Sequence, residues 1–79
     1  MLIHSPKELA LMVINQRKKL KLSQAAVGNS VGLKQATLSA FENNPENTKV
    51  DTLFRILSAV NLDIKILSKN ANVATKTEW

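Results

Sequence analysis

Residues 22–42, LSQAAVGNSVGLKQATLSAFE, restrict the fold more tightly than any other part of this chain. They read as two short helical segments separated by a tight turn at Val31-Gly32-Leu33. Ser23 and Gln24 open the first segment, and serine is a favoured helix cap because its hydroxyl accepts from an otherwise unpaired backbone N–H. Ala26, Val27 and Val31 form the stripe expected to be buried. Gly28 costs roughly 1 kcal/mol against alanine inside a helix, which signals that another helix packs closely there. Gly32 suits the left-handed backbone step that ends a helix. In the second segment Leu38 and Phe41 lie three residues apart on one face, leaving Lys34, Gln35, Thr37 and Ser39 outward. The spacing predicts helices over about 23–30 and 34–41, crossing steeply.

The flanking sequence supplies supports for this pair. Ser5-Pro6-Lys7-Glu8 is a helix start in which Ser5 caps, Pro6 occupies the first turn and Glu8 closes a capping box. Leu9, Met12, Val13, Gln16, Arg17 and Leu20 then recur at helical spacing, so a first helix is expected to about Lys19. Asn43-Asn44-Pro45-Glu46-Asn47 reads as a loop. Thr48-Lys49-Val50-Asp51 repeats the capping pattern and opens a fourth helix, with Val50, Leu53, Phe54, Leu57 and Val60 as its apolar positions and Asn61 as its end. Beyond it the period changes to two: Leu62, Ile64 and Ile66 face one way, Asp63 and Lys65 the other. A lone apolar strand is an aggregation hazard, so residues 62–67 are expected to pair antiparallel with themselves across a two-fold axis. The competing reading is an irregular tail packed on the fourth helix. Residues 68–78 are polar and are expected to be flexible.

The expected architecture is all-α: a four-helix unit over residues 1–61, with room for a short fifth turn, then a dimerisation strand at 62–67 and a tail at 68–79. Seventy-nine residues make one small domain, which buries only about 60% of its unfolded surface and benefits from outside help. With no cysteine, neither disulfides nor thiolate-bound metal supplies it, and a homodimer does. Neither a signal pattern nor a membrane-length apolar run is present, so a cytoplasmic location is expected. His4 is the single histidine and, without companion ligands, reads as a surface residue. The scattered acids and two glycines offer no nucleophile–base pair, metal cluster or phosphate loop, so an enzyme, a cofactor and a bound metal are all unexpected.

The net charge of +5 is unevenly placed. Residues 1–35 hold Lys7, Arg17, Lys18, Lys19, Lys21 and Lys34 against Glu8 alone, whereas residues 36–79 balance five bases with five acids. Lysine and arginine release condensed counterions when they meet phosphates, so this asymmetry suits a polyanionic partner. The plainer account of Arg17-Lys18-Lys19 is a solvated helix end favoured by the macrodipole. Two helices joined by a tight glycine turn form a helix-turn-helix, whose second helix commonly lies in the DNA major groove. RNA is disfavoured by the lack of interleaved aromatic residues for base stacking.

Ser23-Gln24, Val27-Gly28, Gly32, Gln35, Leu38-Ser39 and Phe41-Glu42 fall at the spacings of the Cro/phage-repressor helix-turn-helix family, which the chain resembles over about residues 6–61. KQATLSAFENNPENTKVDTLFRIL, followed by a strand-like segment and Glu-Trp, is similar to the HipB-type antitoxins. Those are dimeric repressors that pair with a HipA-type serine/threonine kinase toxin. Two departures are Gly28, where alanine is usual, and the short segment before the first helix. The resemblance implies that Gln24 binds a phosphate and braces the recognition helix, while Gln35 reads a base through a glutamine amide that matches adenine N6 and N7. It further implies that Lys34 reaches a guanine or phosphate, Ala36 and Thr37 touch a thymine methyl, and Ser39 donates to a base edge or phosphate. Asn43, Asn44 and Asn47 would contact the DNA backbone, which positions without specifying. Arg17 and Glu42 are implied to form a structural ion pair rather than a DNA contact.

Two functions compete on this reading. One is an antitoxin and autorepressor that binds a pseudo-palindromic operator and neutralises a HipA-type kinase toxin. The other is a stand-alone repressor of phage or metabolic genes. Trp79 favours the first, because a tryptophan on a polar tail suits docking on a partner; an incidental terminal residue is the alternative.

Overall fold

The fold is that of a computed structural model whose description covers residues 2–69. Four α-helices follow one another: α1 (Pro6–Lys19), α2 (Gln24–Ser30), α3 (Gln35–Asn43) and α4 (Val50–Ala59), with a one-turn 3-10 helix at Pro45–Asn47 between the last two. Their starts follow local chemistry. Ser5 Oγ accepts from the Glu8 N–H at 3.1 Å, and Ser23 Oγ accepts from the Ala26 N–H at 3.0 Å. Glu8 reaches one residue further back than a standard capping box, accepting the His4 N–H at 2.7 Å. His4 itself is exposed.

Three of the helix ends share one device. After α1, α2 and α4 the chain takes a left-handed step at Lys21 (φ 60°), Gly32 (φ 72°) and Asn61 (φ 60°). The next residue is a leucine each time, and its N–H returns to a carbonyl five residues back: Leu22 to Arg17, Leu33 to Gly28 and Leu62 to Leu57, at 2.8–3.0 Å. This Schellman arrangement satisfies helix-end carbonyls and drops an apolar side chain onto the last turn. Leu22, Leu33 and Leu62 all pack, partly buried, against the core.

The core gathers Ala10 and Val13 of α1, Val27 of α2, Leu38 and Phe41 of α3, and Ile56, Leu57 and Val60 at α4. Burying each of these apart from Ala10 contributes about 1.5–3 kcal/mol, which orients every helix by its apolar stripe. Gln16 joins α1 to the end of α4, its Nε2 donating to the Val60 carbonyl at 3.0 Å.

Several expectations shift. The second helix starts after Ser23 and the third after Lys34, which are their N-caps, and α3 continues to Asn43. Ala26 is exposed rather than buried, and Val31 is half-buried. The close approach at Gly28 is made by the turn, not by a helix: a Cβ there would stand 2.5 Å from the Leu33 carbonyl oxygen. Thr48 does not cap α4; Lys49 is the N-cap, and no side chain bonds there. On α4, Val50 and Phe54 are 66% and 56% exposed, while Ile56, absent from the expected stripe, is fully buried. Residues 62–67 carry no strand, and no strand occurs among the described residues. Strand pairing needs a partner, and the described residues present no second segment of that kind.

Candidate nucleic-acid interface

Because Leu38 and Phe41 are 0% and 1% exposed, α3 is fixed in rotation with its opposite face outward. Lys34, Gln35 and Ala36 are exposed at its start, Thr37 and Ser39 are half-buried along it, and Asn43, Asn44 and Asn47 are exposed just beyond it. Asn43 Nδ2 donates to Ser39 Oγ at 3.4 Å, and the Asn47 N–H donates to the Asn44 carbonyl at 3.1 Å. Apart from Gln24 on α2, the expected residues run from the α2–α3 turn to the 3-10 helix.

A polar chain reaches from the core out to Gln35. Arg17 Nε donates to Glu42 Oε2 at 2.8 Å and Nη2 to Oε1 at 3.1 Å, while Nη1 donates to the Leu22 carbonyl at 3.0 Å. The pair is largely shielded, with side chains 13% and 7% exposed. Arginine's planar fork matches a carboxylate bidentately, so this contact sets orientation as well as charge balance. Glu42 Oε1 also accepts from Gln24 Nε2 at 2.9 Å, and Gln24 Oε1 accepts from Gln35 Nε2 at 3.4 Å.

That sequence of partners settles which way both amides face. An ionised carboxylate only accepts, so Gln24 must turn its NH2 to Glu42 and its carbonyl to Gln35. Gln35 then offers Gln24 an N–H and keeps a second N–H and its own carbonyl oxygen for solvent. One donor beside one acceptor on an exposed amide is the pattern complementary to adenine N7 and N6 in the major groove. At 3.4 Å the Gln24–Gln35 bond is long and weak, so Gln35 is guided rather than locked. Arg17, with its donors directed at Glu42 and Leu22, faces inward.

The link from Glu42 to Gln24 goes beyond the sequence expectation, which pairs Glu42 with Arg17 alone. Its signal is present all the same: Gln35 and Glu42 stand seven residues apart, on one face of α3. A second surface joins α4 residues that the sequence reading placed in the core to the segment after the helix. Val50, Phe54, Ile64, Ile66 and Leu67 are exposed, and Phe54, Leu57, Asn61, Leu62 and Ile64 line an open groove between α4 and the segment after it. Leu62 reaches the core, whereas Ile66 is 90% exposed. Trp79 lies outside the described residues. Among the described residues no cluster of three or more His, Cys, Asp or Glu side chains is arranged to hold a metal, and no helix is long and apolar enough to cross a membrane.

Comparison with known proteins bears on the fold. A family model described as helix-turn-helix matches residues 13–67. Antitoxin HipB of Escherichia coli strain K12 is 39% identical over 71 residues, spanning 89% of this chain and 81% of that protein. Antitoxin HigA1 of Mycobacterium tuberculosis strain H37Rv is 30% identical over 67 residues, which are 85% of this chain but 45% of that antitoxin. Among solved structures, a HipA-HipB-O2-O3 complex contains a chain that superposes with a TM-score of 0.84 at 36% identity, over 87% of this chain and 97% of that one. A HipB-O4 20mer complex gives the same values.

Proposed function

Since the chain belongs to the helix-turn-helix family, with HipB antitoxins among its relatives, we propose that it is a DNA-binding antitoxin and autorepressor. It binds the operator of its own toxin–antitoxin operon and binds and neutralises a HipA-type serine/threonine kinase toxin. It has no catalytic role. The observation that carries the DNA half is the Arg17–Glu42–Gln24–Gln35 chain, which presents a pre-oriented amide on the exposed face of a recognition helix. The toxin half is supported by relatives named as antitoxin and by a neighbour solved as a HipA-HipB complex.

In this reading Gln35 reads adenine, and Lys34, Ala36, Thr37 and Ser39 contact neighbouring base edges or phosphates. Gln24, Asn43, Asn44 and Asn47 hold the backbone. Residues 62–67 pair with the same segment of a second copy, bringing Leu62, Ile64 and Ile66 into the interface beside the exposed Phe54. A two-fold dimer then presents two α3 helices to a pseudo-palindromic site. The helical unit to residue 61, the pairing segment and the tail from 68 act as three parts, with Trp79 contacting the toxin. The setting is the cytoplasm, and the nucleoid when the protein is bound to DNA.

The test of the DNA reading is Gln35→Ala, measured against a duplex from upstream of the protein's own gene and a random duplex. A loss of about 1–3 kcal/mol on the first, with specificity relaxed at one base pair per half-site, is expected. An equal loss on both would remove Gln35 as a reader. A stand-alone repressor would have no kinase-like reading frame beside its gene. Deleting residues 69–79 should weaken binding to the toxin while leaving DNA binding intact.

A further inference from the structure

Resting on the DNA-binding reading above, we propose that Lys18, Lys19 and Lys21 form a second, sequence-independent grip on the phosphate backbone beside the recognition helix. The first observation is charge. Residues 9–41 contain no acidic side chain, yet include Arg17, Lys18, Lys19, Lys21 and Lys34. Glu42, the first acid after this run, is shielded and already paired with Arg17. Lys18, Lys19 and Lys21 are all exposed, and among the described residues no hydrogen bond or ion pair engages their ammonium groups.

The second observation is backbone conformation. The helix macrodipole accounts for Lys18 and Lys19, which sit in the last turn of α1. It does not account for Lys21, which lies beyond the helix at φ 60°. The equivalent positions after α2 and α4 carry Gly32 and Asn61, the residue types that tolerate a left-handed backbone. Lysine is the exception among three turns of one design, and local conformation does not favour it.

The third observation is placement. Leu22 N–H bonds the Arg17 carbonyl and Arg17 Nη1 bonds the Leu22 carbonyl, so the turn holding Lys21 is tied to the residue from which the Glu42–Gln24–Gln35 chain starts. Lys21 is three residues from Gln24, a span of at most roughly 11 Å of chain. A major groove is about 12 Å wide, so with Gln35 at a base edge, cations this close to Gln24 stand near the level of a bordering phosphate strand. A long, flexible ammonium there holds phosphates without reading sequence.

The test uses the full chain and two duplexes of equal length, one from upstream of its own gene and one random, titrated with salt. The variant Lys18→Gln/Lys19→Gln/Lys21→Gly removes the grip, and glycine keeps the turn unstrained. A control, Lys7→Gln/Lys65→Gln/Lys69→Gln, removes the same charge elsewhere. The slope of log affinity against log salt should become shallower in the grip variant by about 0.9 for each phosphate that is no longer neutralised. The change should be equal on both duplexes, leaving their affinity ratio unchanged, while the control keeps its slope. An unaltered slope in the grip variant, or an equal fall in the control, overturns the proposal. If the unmodified protein binds neither duplex, the DNA-binding reading itself fails, which is a distinct result.

Discussion

The α3 face and the α4 face are both exposed, but they are exposed in different ways. Around Gln35 the surface is polar and internally bonded: each group from Arg17 outward has a partner before any ligand arrives. Around Phe54 it is apolar and unmatched, with Val50 one turn earlier on α4 and Ile64 lining the same groove. A prearranged polar surface loses little freedom when it meets a rigid duplex, because its side chains are already ordered. An apolar surface of this kind gains by leaving water, which another protein surface provides. On the proposed reading, the face around Gln35 is prepared within one chain, whereas the α4 face awaits a partner.

The sharpest way to break this contrast lies on α4 itself. Ile56 is fully buried and Phe54 is 56% exposed, two residues apart. Ile56→Ala should cost about 2–5 kcal/mol by leaving a cavity. Urea unfolding should show that loss at every protein concentration. Phe54→Ala should leave the dilute chain nearly as stable and reduce only the gain in stability seen on raising concentration. Equal losses at high dilution would show that Phe54 belongs to the core, and the division between the two faces would fall.

The polar face has its own weak point at Glu42. Glu42→Gln leaves the Arg17 guanidinium shielded and unpaired, which should cost about 3 kcal/mol, toward the lower end for a buried pair because some exposure remains. Thermal melting reads that loss. The same change frees Gln24 to turn its amide over, so discrimination between specific and random duplexes should shrink more than overall affinity does. If stability falls while discrimination is unchanged, the ion pair is a scaffold and Gln35 orients itself.

Much of the helical framework is legible in the sequence because its signals are local. Ser5 and Ser23 cap, Gly32 and Asn61 stop helices, and Leu38 with Phe41 fixes the rotation of α3. The α4 register is not legible for a physical reason. Val50, Leu53, Phe54, Ile56, Leu57 and Val60 cover two faces of one helix, so periodicity cannot say which stripe meets the core. The packing of α2 against α4 decides it, with Ile56 buried and Phe54 left outside. The same limit applies at residues 62–67, where alternation suggests a strand and the single chain forms none. At the recognition face, residue types pointed to Gln24 and Gln35 separately. The chain from Glu42 through Gln24 to Gln35 required the fold.

Dimerisation offers a subtler separation. Ile66 is 90% exposed, so Ile66→Asp should change the folding of the isolated chain by no more than about 0.5 kcal/mol. Placed in a paired strand opposite its own copy, the same charge should weaken association by about 1–3 kcal/mol. Sedimentation at a fixed concentration would then show monomer, and DNA affinity would drop toward that of one half-site. An unchanged dimer would move the interface onto α4 alone.

The smallest effect divides the two faces most finely, because it separates stability from binding at one residue. Lys21 and Asn61 hold the same left-handed conformation in equivalent turns. Lys21→Gly relieves about 1–2 kcal/mol of backbone strain. Glycine's greater freedom in the unfolded chain offsets about 0.4–1 kcal/mol of that. A net gain of about 0.5–1 kcal/mol is expected in thermal unfolding. Asn61→Gly should gain less, since asparagine already tolerates the conformation. If Lys21 contributes to the DNA face, its variant becomes more stable and binds both specific and random duplexes more weakly, whereas the Asn61 variant changes neither affinity. A Lys21→Gly protein that gains stability and keeps its full DNA affinity would place that lysine with the solvated end of α1 and confine the DNA face to the strip around α3.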